Sequence, residues 1–264
     1  MIVTSILITA TGSYFGYFQR LLPELLHYVD SGNFLQIVVA TDSEIRARSG
    51  SQYVITPIRV QAEAWPHSTT KRYRYFQENW EVVKGQNIVW IDADMKIVSR
   101  VSTNKLLESK KLYLSLHPGF STIKTLHSKS PIEIYKLFKR FFYSKFELYI
   151  GSGGWERGRV SAAFIPLWHR KQYFQGGFWI ASNNEAFRLI SFIAKTAQLD
   201  LENIGRYARH NDESYLNKYA VVERNSLESL PYGFVTANGY FWNPKNERKV
   251  VCLDKIELEI LVFP

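Results

Sequence analysis

Asn87-Ile88-Val89-Trp90-Ile91-Asp92-Ala93-Asp94-Met95 is the stretch of sequence that decides the fold. Its apolar part is short and rich in β-branched and aromatic side chains, which predicts a buried strand. Because side chains alternate along a strand, we expect Asp92 and Asp94 to point the same way at its end. Two adjacent carboxylates favour a divalent cation, since Mg²⁺ and Mn²⁺ take carboxylate oxygens as ligands. A polar strand end in solvent explains this stretch equally well.

Strands and helices alternate along the chain before this stretch. The predicted elements are strands over residues 2–9, 34–40 and 53–60, a helix over residues 14–29 and a helix that runs up to Gly85. Pro23 lies inside the first helix and predicts a kink or a later helix start. The alternation predicts an α/β fold with a mostly parallel central sheet flanked by helices. Ligands of such sheets bind beyond the carboxyl ends of the strands.

The composition is that of a globular protein with anionic partners. The chain has 264 residues and a formal net charge of +9, so it can bury a large core and attract anions. No zinc-ligand spacing, RNA-binding aromatic octamer or basic heptad helix occurs, so we expect no nucleic-acid partner. No run of about 18 apolar residues exists and the N-terminus lacks a basic leader, which predicts a cytoplasmic protein without signal peptide or transmembrane anchor.

Residues 121–150 form a basic segment, with six Lys or Arg against two Glu and many apolar residues between them. A basic amphipathic helix of this kind can lie on an anionic membrane surface, as a peripheral contact. The alternative, which the pattern favours, is a helix that packs its apolar side on the domain and keeps its lysines in water.

A second acidic pair, Asp212-Glu213, precedes a predicted helix. Asp212 fits a helix cap and Glu213 fits a first-turn residue that the helix dipole favours, so both can have a purely structural role. The aromatic segment Tyr173–Trp179 contains the pair Gly176-Gly177. Paired glycines in a strand indicate close approach by a ligand or another backbone.

Seven segments, taken in order along most of the chain, resemble motifs of the family 6 glycosyltransferases. This family includes the blood-group A and B transferases and the α-1,3-galactosyltransferases. The segments are Trp65 with Thr69 and Lys71-Arg72, Asp92-Ala93-Asp94-Met95, Leu116-His117-Pro118-Gly119-Phe120, Trp155-Glu156-Arg157, Ser161 with Ala163-Phe164-Ile165-Pro166, Tyr173-Phe174-Gln175-Gly176-Gly177-Phe178, and Asp212-Glu213-Ser214-Tyr215-Leu216-Asn217-Lys218-Tyr219. With both aspartates kept and no anchor, the chain resembles a soluble bacterial- or phage-type member.

The resemblance implies a GT-A glycosyltransferase fold in a single merged domain, residues 1–264. Residues 1–100 would form the nucleotide-binding half, and residues 101–264 the acceptor and catalytic half with 121–150 as an insertion. The implied reaction is retaining transfer of GalNAc or Gal from a UDP-sugar to a glycan acceptor, for example a lipid-linked one, in α-1,3 linkage.

The resemblance also implies a set of site residues. Asp92 and Asp94 would hold Mn²⁺ or Mg²⁺ against the UDP diphosphate, which predicts a metal-dependent enzyme. The further donor-binding positions are Thr9, Thr11, Tyr14, Arg72, Ala93, Gln175, Gly176, Gly177, Asp212 and Lys255. The acceptor-binding positions are His117, Trp155 and His210.

Glu213 is the expected catalytic residue. A carboxylate beneath the sugar ring can stabilise or trap the oxocarbenium-like state of a retaining transfer, and both a covalent intermediate and same-face attack remain open. A glycine at position 177 leaves room for an N-acetyl group, which favours UDP-GalNAc over UDP-Gal. Departures from the family pattern at Gly154, His210 and Asn211 predict an acceptor other than the blood-group H trisaccharide.

Two other classes compete with this interpretation. A non-catalytic protein that binds sugars or a lipid surface would suit the aromatic content and the positive charge. A phosphohydrolase can also place two aspartates at a strand end, but Lys96 stands where that class has Thr or Val.

Overall fold

A seven-stranded sheet forms the centre of the computed structural model. The structure describes residues 3–29, 33–45, 49–103, 111–117, 154–231, 233–237 and 248–253. The strands in these ranges are β1 (Val3–Thr9), β2 (Phe34–Thr41), β3 (Tyr53–Arg59), β4 (Asn87–Ile91), β5 (Met95–Ile97), β6 (Leu112–Leu116), β7 (Phe174–Ser182), β8 (Leu227–Ser229), β9 (Val235–Ala237) and β10 (Val250–Cys252).

The central sheet has the strand order β3-β2-β1-β4-β7-β6-β8. The first four strands in this order run parallel to one another. Strand β7 is antiparallel to both β4 and β6, and β8 is parallel to β6. The carboxyl ends of β1, β2 and β4 therefore lie at the same sheet edge as the beginning of β7. The short strands β5, β10 and β9 form a separate sheet that begins just after the β4 turn.

Helices cover both faces of the central sheet. They are α1 (Tyr14–Tyr28), α2 (His67–Glu78), α3 (Asn183–Ile204) and α4 (Asn211–Val222). Ile6 and Ile8 of β1 pack into the core on the α1 side, whereas Leu7 between them packs into the core formed with α2, α3 and α4. This burial on both faces is the reason that the parallel strands are almost continuously apolar.

The structure confirms the predicted α/β class with a mostly parallel sheet flanked by helices. The apolar run before Asp92 is the predicted buried strand, β4, which begins one residue earlier, at Asn87. The later helix start that Pro23 predicted is wrong, because α1 begins at Tyr14 and continues through the proline. Proline removes only one N–H from the helix ladder, and the buried side chains of Leu21 and Leu25 hold α1 on the sheet.

Within the described ranges, no helix is long and apolar enough to cross a membrane. The basic segment 121–150 lies outside the described residues, so both interpretations of it stay predictions. The division into a half over residues 1–100 and a half over residues 101–264 also stays a prediction.

Candidate active site

One cavity of about 690 Å³ lies at the sheet edge where β1 and β4 end and β7 begins. Its size suits a small-molecule ligand. Five chain segments supply its walls, from the β1–α1 turn, the beginning of α2, the turn after β4, the beginning of β7 and the beginning of α4. The lining residues are Thr9, Thr11, Tyr14, Trp65, Ser68, Thr69, Arg72, Asp92, Ala93, Asp94, Gly176, Gly177, Arg209, His210, Asn211, Asp212 and Glu213.

The turn that carries Asp92 and Asp94 is held from several sides. The Asp92 N–H donates to the Gly177 carbonyl oxygen at 2.9 Å, and the Met95 N–H donates to the Asp92 carbonyl oxygen at 3.1 Å. The Arg20 guanidinium donates to the carbonyl oxygen of Met95 from the side of α1. These bonds fix the backbone, so both carboxylates are presented to the cavity by a supported turn.

Arg72 joins two acidic segments that are far apart in sequence. Its Nη1 lies 2.6 Å from Asp92 Oδ1, and its Nη2 lies 2.5 Å from Asp212 Oδ2. Its guanidinium also lies over the rings of Tyr73 and Trp90, at 5.5 and 5.2 Å from their centroids. The N-cap residue of α4 is His210, and Asp212 lies in the first turn of the helix. Asp212 pairs there with Arg72, so the interpretation of Asp212 as a helix cap is wrong.

The cavity concentrates negative charge. Burial raises the pKa of Asp92 to about 7; Arg72 opposes this rise, and Asp94 and Asp212 add to it. Burial, followed by the charges of Asp94 and Asp92, raises the pKa of the Tyr14 hydroxyl to about 12. Burial is the main cause of both shifts, and the neighbouring carboxylates add to it. A cation bound beside Asp92 and Asp94 would favour the ionised form of Asp92.

The residues present fit a hard divalent cation only if other ligands complete its shell. Among the described residues, no group of three or more His, Cys, Asp or Glu side chains could hold a metal ion. Asp92 and Asp94 would thus supply two carboxylates, and water or an anionic ligand the remaining oxygens. This is the usual arrangement for Mg²⁺, which is held by one or two carboxylates and substrate phosphates.

Glu213 lies in the first turn of α4, beside the beginning of β7. Its Oε2 accepts a hydrogen bond from the Gly176 N–H at 3.2 Å. Burial raises the pKa of Glu213 to about 8; the hydrogen bond from Tyr173 opposes the rise, and the charges of Asp212 and Asp92 add to it. A buried carboxyl with a strongly shifted pKa in a cleft is a candidate catalytic group.

The glycine pair of β7 has two different sides. A Cβ on Gly176 would lie 3.4 Å from Asp212 Oδ2 and 3.9 Å from the Glu213 Cβ, so its open side faces the carboxylates. A Cβ on Gly177 would overlap the Met95 methyl and lie 3.2 Å from Asp92 Oδ2. Gly177 therefore permits close packing against the β4 turn, and the donor preference inferred from it stays a prediction.

Two of the three predicted acceptor residues do not line the cavity. Only His210 does. Trp155 is 1% exposed and packs on Tyr173, with ring centroids 5.0 Å apart. His117 also packs on Tyr173, with ring centroids 5.8 Å apart, and burial followed by the charge of His210 lowers the pKa of His117 to about 4.

The predicted donor-binding residues line the cavity with one exception among the described residues. Gln175 does not line the cavity; its buried side-chain oxygen accepts the Gly177 N–H at 2.9 Å, so Gln175 supports the glycine pair. Lys255 lies outside the described residues. All of the other predicted donor residues line the cavity.

Several cavity residues lie outside the predicted set. Trp65 and Thr69 belong to the first of the resembling segments, and Asn211 precedes the second acidic pair, so a signal for them existed. Arg209 lies in a loop and has no such signal. Tyr73 does not line the cavity but supports it, because its hydroxyl donates to Asp212 Oδ2 at 3.3 Å, and no signal in the sequence indicated this contact.

The chain matches no protein-family model and no curated protein sequence. The geometry of the cavity therefore has to support any functional conclusion.

Proposed function

We propose that this chain is a cytoplasmic retaining glycosyltransferase of the GT-A fold, similar to family 6. It would transfer GalNAc or Gal from a UDP-sugar to a glycan acceptor in α-1,3 linkage. One observation carries the proposal: Asp92 and Asp94, at the end of a buried strand, share a cavity with Glu213, at the beginning of a distant helix. Retaining transfer from a nucleotide-sugar can use both features, a binding site for the diphosphate and a carboxylate beside the sugar.

The β1–α1 turn is the proposed contact for the uridine. The Thr9 hydroxyl is buried, and within the described part of the chain it has no hydrogen-bond partner. The backbone of the turn is fixed, because the Gly12 N–H donates to Asp42 Oδ1 at 3.0 Å. A buried hydroxyl beside a rigid turn can bind a polar ligand edge with little loss of conformational entropy. Thr11 and Tyr14 extend the same wall.

The turn after β4 is the proposed binding site of the diphosphate. Asp92 and Asp94 would hold Mn²⁺ or Mg²⁺, which when bound neutralises the phosphates and stabilises the departing UDP. Asp92 Oδ1 accepts a hydrogen bond from Arg72 Nη1, and Asp92 Oδ2 lies on the side of Gly177. Arg72 keeps this carboxylate in one orientation, and it is itself held because Asp212 binds its second amino group.

Glu213 is the proposed catalytic residue. The bond from Gly176 holds its carboxyl against the glycine pair, which makes the open side of Gly176 the proposed position of the sugar. Both open mechanisms need an ionised carboxylate there, either as the nucleophile or as the partner of an oxocarbenium-like sugar. Asp212 adjoins the same glycine and is the proposed partner of sugar hydroxyls.

The test is release of UDP from UDP-GalNAc, UDP-Gal and UDP-glucose, measured with Mn²⁺ and with excess chelator. We expect release from a galactose-configured donor with Mn²⁺ and little release with chelator. Glu185→Gln is a matched control for Glu213→Gln, because Glu185 lies in the first turn of α3 and pairs with Arg188. Absence of release from every UDP-sugar would contradict the proposal and favour a non-catalytic sugar-binding protein.

A further inference from the structure

An exposed basic and aromatic surface lies outside the cavity. We call it the 157–171 face, after the segment whose exposed side chains form it, namely Arg157, Arg159, Val160, Leu167, Trp168, His169 and Lys171. Trp168 is 75% exposed and Val160 is 74% exposed. No acidic residue occurs in the sequence between Glu156 and Glu185. Within the described residues Arg157, Arg159 and Lys171 form no ion pair, and large exposed apolar side chains are a feature of binding surfaces.

The beginning of this face adjoins the loop before α4, which carries Arg209 and His210. A Cβ on Gly158 would lie 3.3 Å from Nη2 of Arg206. The Glu156 side chain joins the two segments, because its Oε1 accepts the Gly158 N–H at 2.8 Å and its Oε2 accepts the Arg209 N–H at 2.7 Å. Arg209 and His210 line the cavity. A ligand of this part of the face therefore lies next to a loop that forms one wall of the cavity.

The two carboxylates beneath the face do not offset its positive charge at the surface. Glu156 is 4% exposed and is already bonded to two backbone N–H groups and to Arg206. Asp200 is 1% exposed and accepts the Ser161 hydroxyl and the Ala162 N–H, each at 2.6 Å. These buried bonds hold the segment to the fold, and neither carboxylate is exposed beside the outward cations.

The backbone that carries Trp168 is also fixed. Leu167–His169 form a short 3-10 helix. The Arg170 Nε donates to the Ile165 carbonyl oxygen at 2.9 Å, and the Lys218 Nζ donates to the Phe164 carbonyl oxygen at 2.8 Å from α4. Trp168 is therefore an exposed side chain on an ordered backbone. Its insertion into a non-aqueous environment would not require this segment to fold first.

We propose that the 157–171 face docks on an anionic phospholipid membrane and brings the cavity-lining loop with Arg209 and His210 close to the lipid surface. Lys and Arg side chains near a membrane are attracted to anionic headgroups, and a tryptophan favours the boundary between headgroups and acyl chains. The surface matches this pattern, with Trp168 and Leu167 as the apolar anchors and Arg157, Arg159 and Lys171 as the flanking cations. Docking of this kind does not depend on the chemistry proposed for the cavity.

The test is cosedimentation of the full chain with vesicles. The probes are vesicles of phosphatidylcholine alone and of phosphatidylcholine mixed with phosphatidylglycerol. We expect binding only to the mixed vesicles, and weaker binding as salt is added. Each cation near an anionic surface contributes about a fivefold factor in partitioning, so the triple variant Arg157→Gln, Arg159→Gln, Lys171→Gln should bind about a hundredfold less well. Trp168→Ala should also bind less well than the unmodified chain.

Matched controls separate this face from the overall charge. The triple variant Arg74→Gln, Arg188→Gln, Arg224→Gln loses the same charge from exposed positions elsewhere, and it should keep most of the binding. Val222→Ala, at a position that is 56% exposed, should behave like the unmodified chain.

Three results would overturn the proposal. They are no binding to the mixed vesicles, equal losses in the two triple variants, or binding of a soluble acidic polysaccharide through this face with no vesicle binding. None of these measurements uses a UDP-sugar, so failure of the membrane proposal and failure of the enzymatic proposal are distinguishable.

Discussion

Replacing Arg72 with methionine removes the cation that joins Asp92 and Asp212. Removing one partner of a buried ion pair costs about 3–5 kcal/mol, because the other charge stays buried without compensation. The Asp92 and Asp212 side chains are 23% and 9% exposed, so water reaches Asp92 in part. We therefore expect Arg72→Met to lower the free energy of unfolding by about 3 kcal/mol at about pH 8, the lower end of that range.

The loss of unfolding free energy in Arg72→Met should depend on pH, and the direction of that dependence follows from the pKa of Asp92. Its pKa in the folded protein is about 7, above the ordinary value, and Arg72 acts to lower it. A carboxyl with a raised folded-state pKa stabilises the fold below its unfolded pKa, and this stability is lost as the pH rises through the folded pKa. Without Arg72 that pKa rises further. The deficit of Arg72→Met should therefore be smaller at about pH 5 than at about pH 8.

Urea unfolding at the two pH values measures both effects. Arg74→Met is the control, since Arg74 is 55% exposed and pairs with Glu78, which is 53% exposed. Such a surface pair contributes at most about 1 kcal/mol. Saturating Mn²⁺ should restore part of the lost stability in Arg72→Met, because a cation at Asp92 replaces the missing positive charge. A loss equal to that of Arg74→Met, or one that does not change with pH, would refute the reasoning.

Three further predictions concern Glu213, the proposed catalytic residue, and the glycine pair. Glu213→Gln should keep UDP binding by calorimetry but lower kcat by about a hundredfold or more, and normal turnover would exclude Glu213 from the mechanism. Because burial raises the pKa of Glu213 to about 8 and the ionised form reacts, kcat/KM should rise with pH through that value, whereas a flat profile would contradict this role. Gly177→Ala should lower the free energy of unfolding by about 1–3 kcal/mol, because its Cβ crowds Met95 and Asp92. Gly176→Ala should cost less, since its nearest neighbour lies at 3.4 Å; equal losses would refute the difference between the two glycines.

The strand and its two aspartates could be predicted because their signal is local. Residues 87–91 are apolar without interruption after the first position, and the run stops at Asp92, so strand length, burial and the position of the carboxylates follow from neighbouring residues. The strands that precede it carry the same kind of signal. The sheet edge where ligands bind then follows from the parallel order of these strands.

The contacts that complete the site depend on tertiary packing and could not be predicted in the same way. Arg72 meets Asp212 only because α2 and α4 pack on the same face of the sheet, and no spacing in the chain shows that pairing. Burial is equally hard to predict from a motif. The motif that contains Trp155 suggested a contact with the acceptor, whereas in the structure its ring is buried against Tyr173. A motif indicates which residues lie near a site, whereas exposure decides which of them can bind a ligand.

Calorimetric titration with UDP tests most directly the claim that this cavity seats a nucleotide diphosphate through Asp92 and Asp94. With Mn²⁺ present, we predict UDP binding to the unmodified chain. We also predict that affinity falls at least about tenfold both with excess chelator and in Asp94→Asn, a loss of at least about 1.4 kcal/mol. UDP binding that is equally strong with Mn²⁺, with chelator and in Asp94→Asn, or no UDP binding under any condition, would contradict the claim.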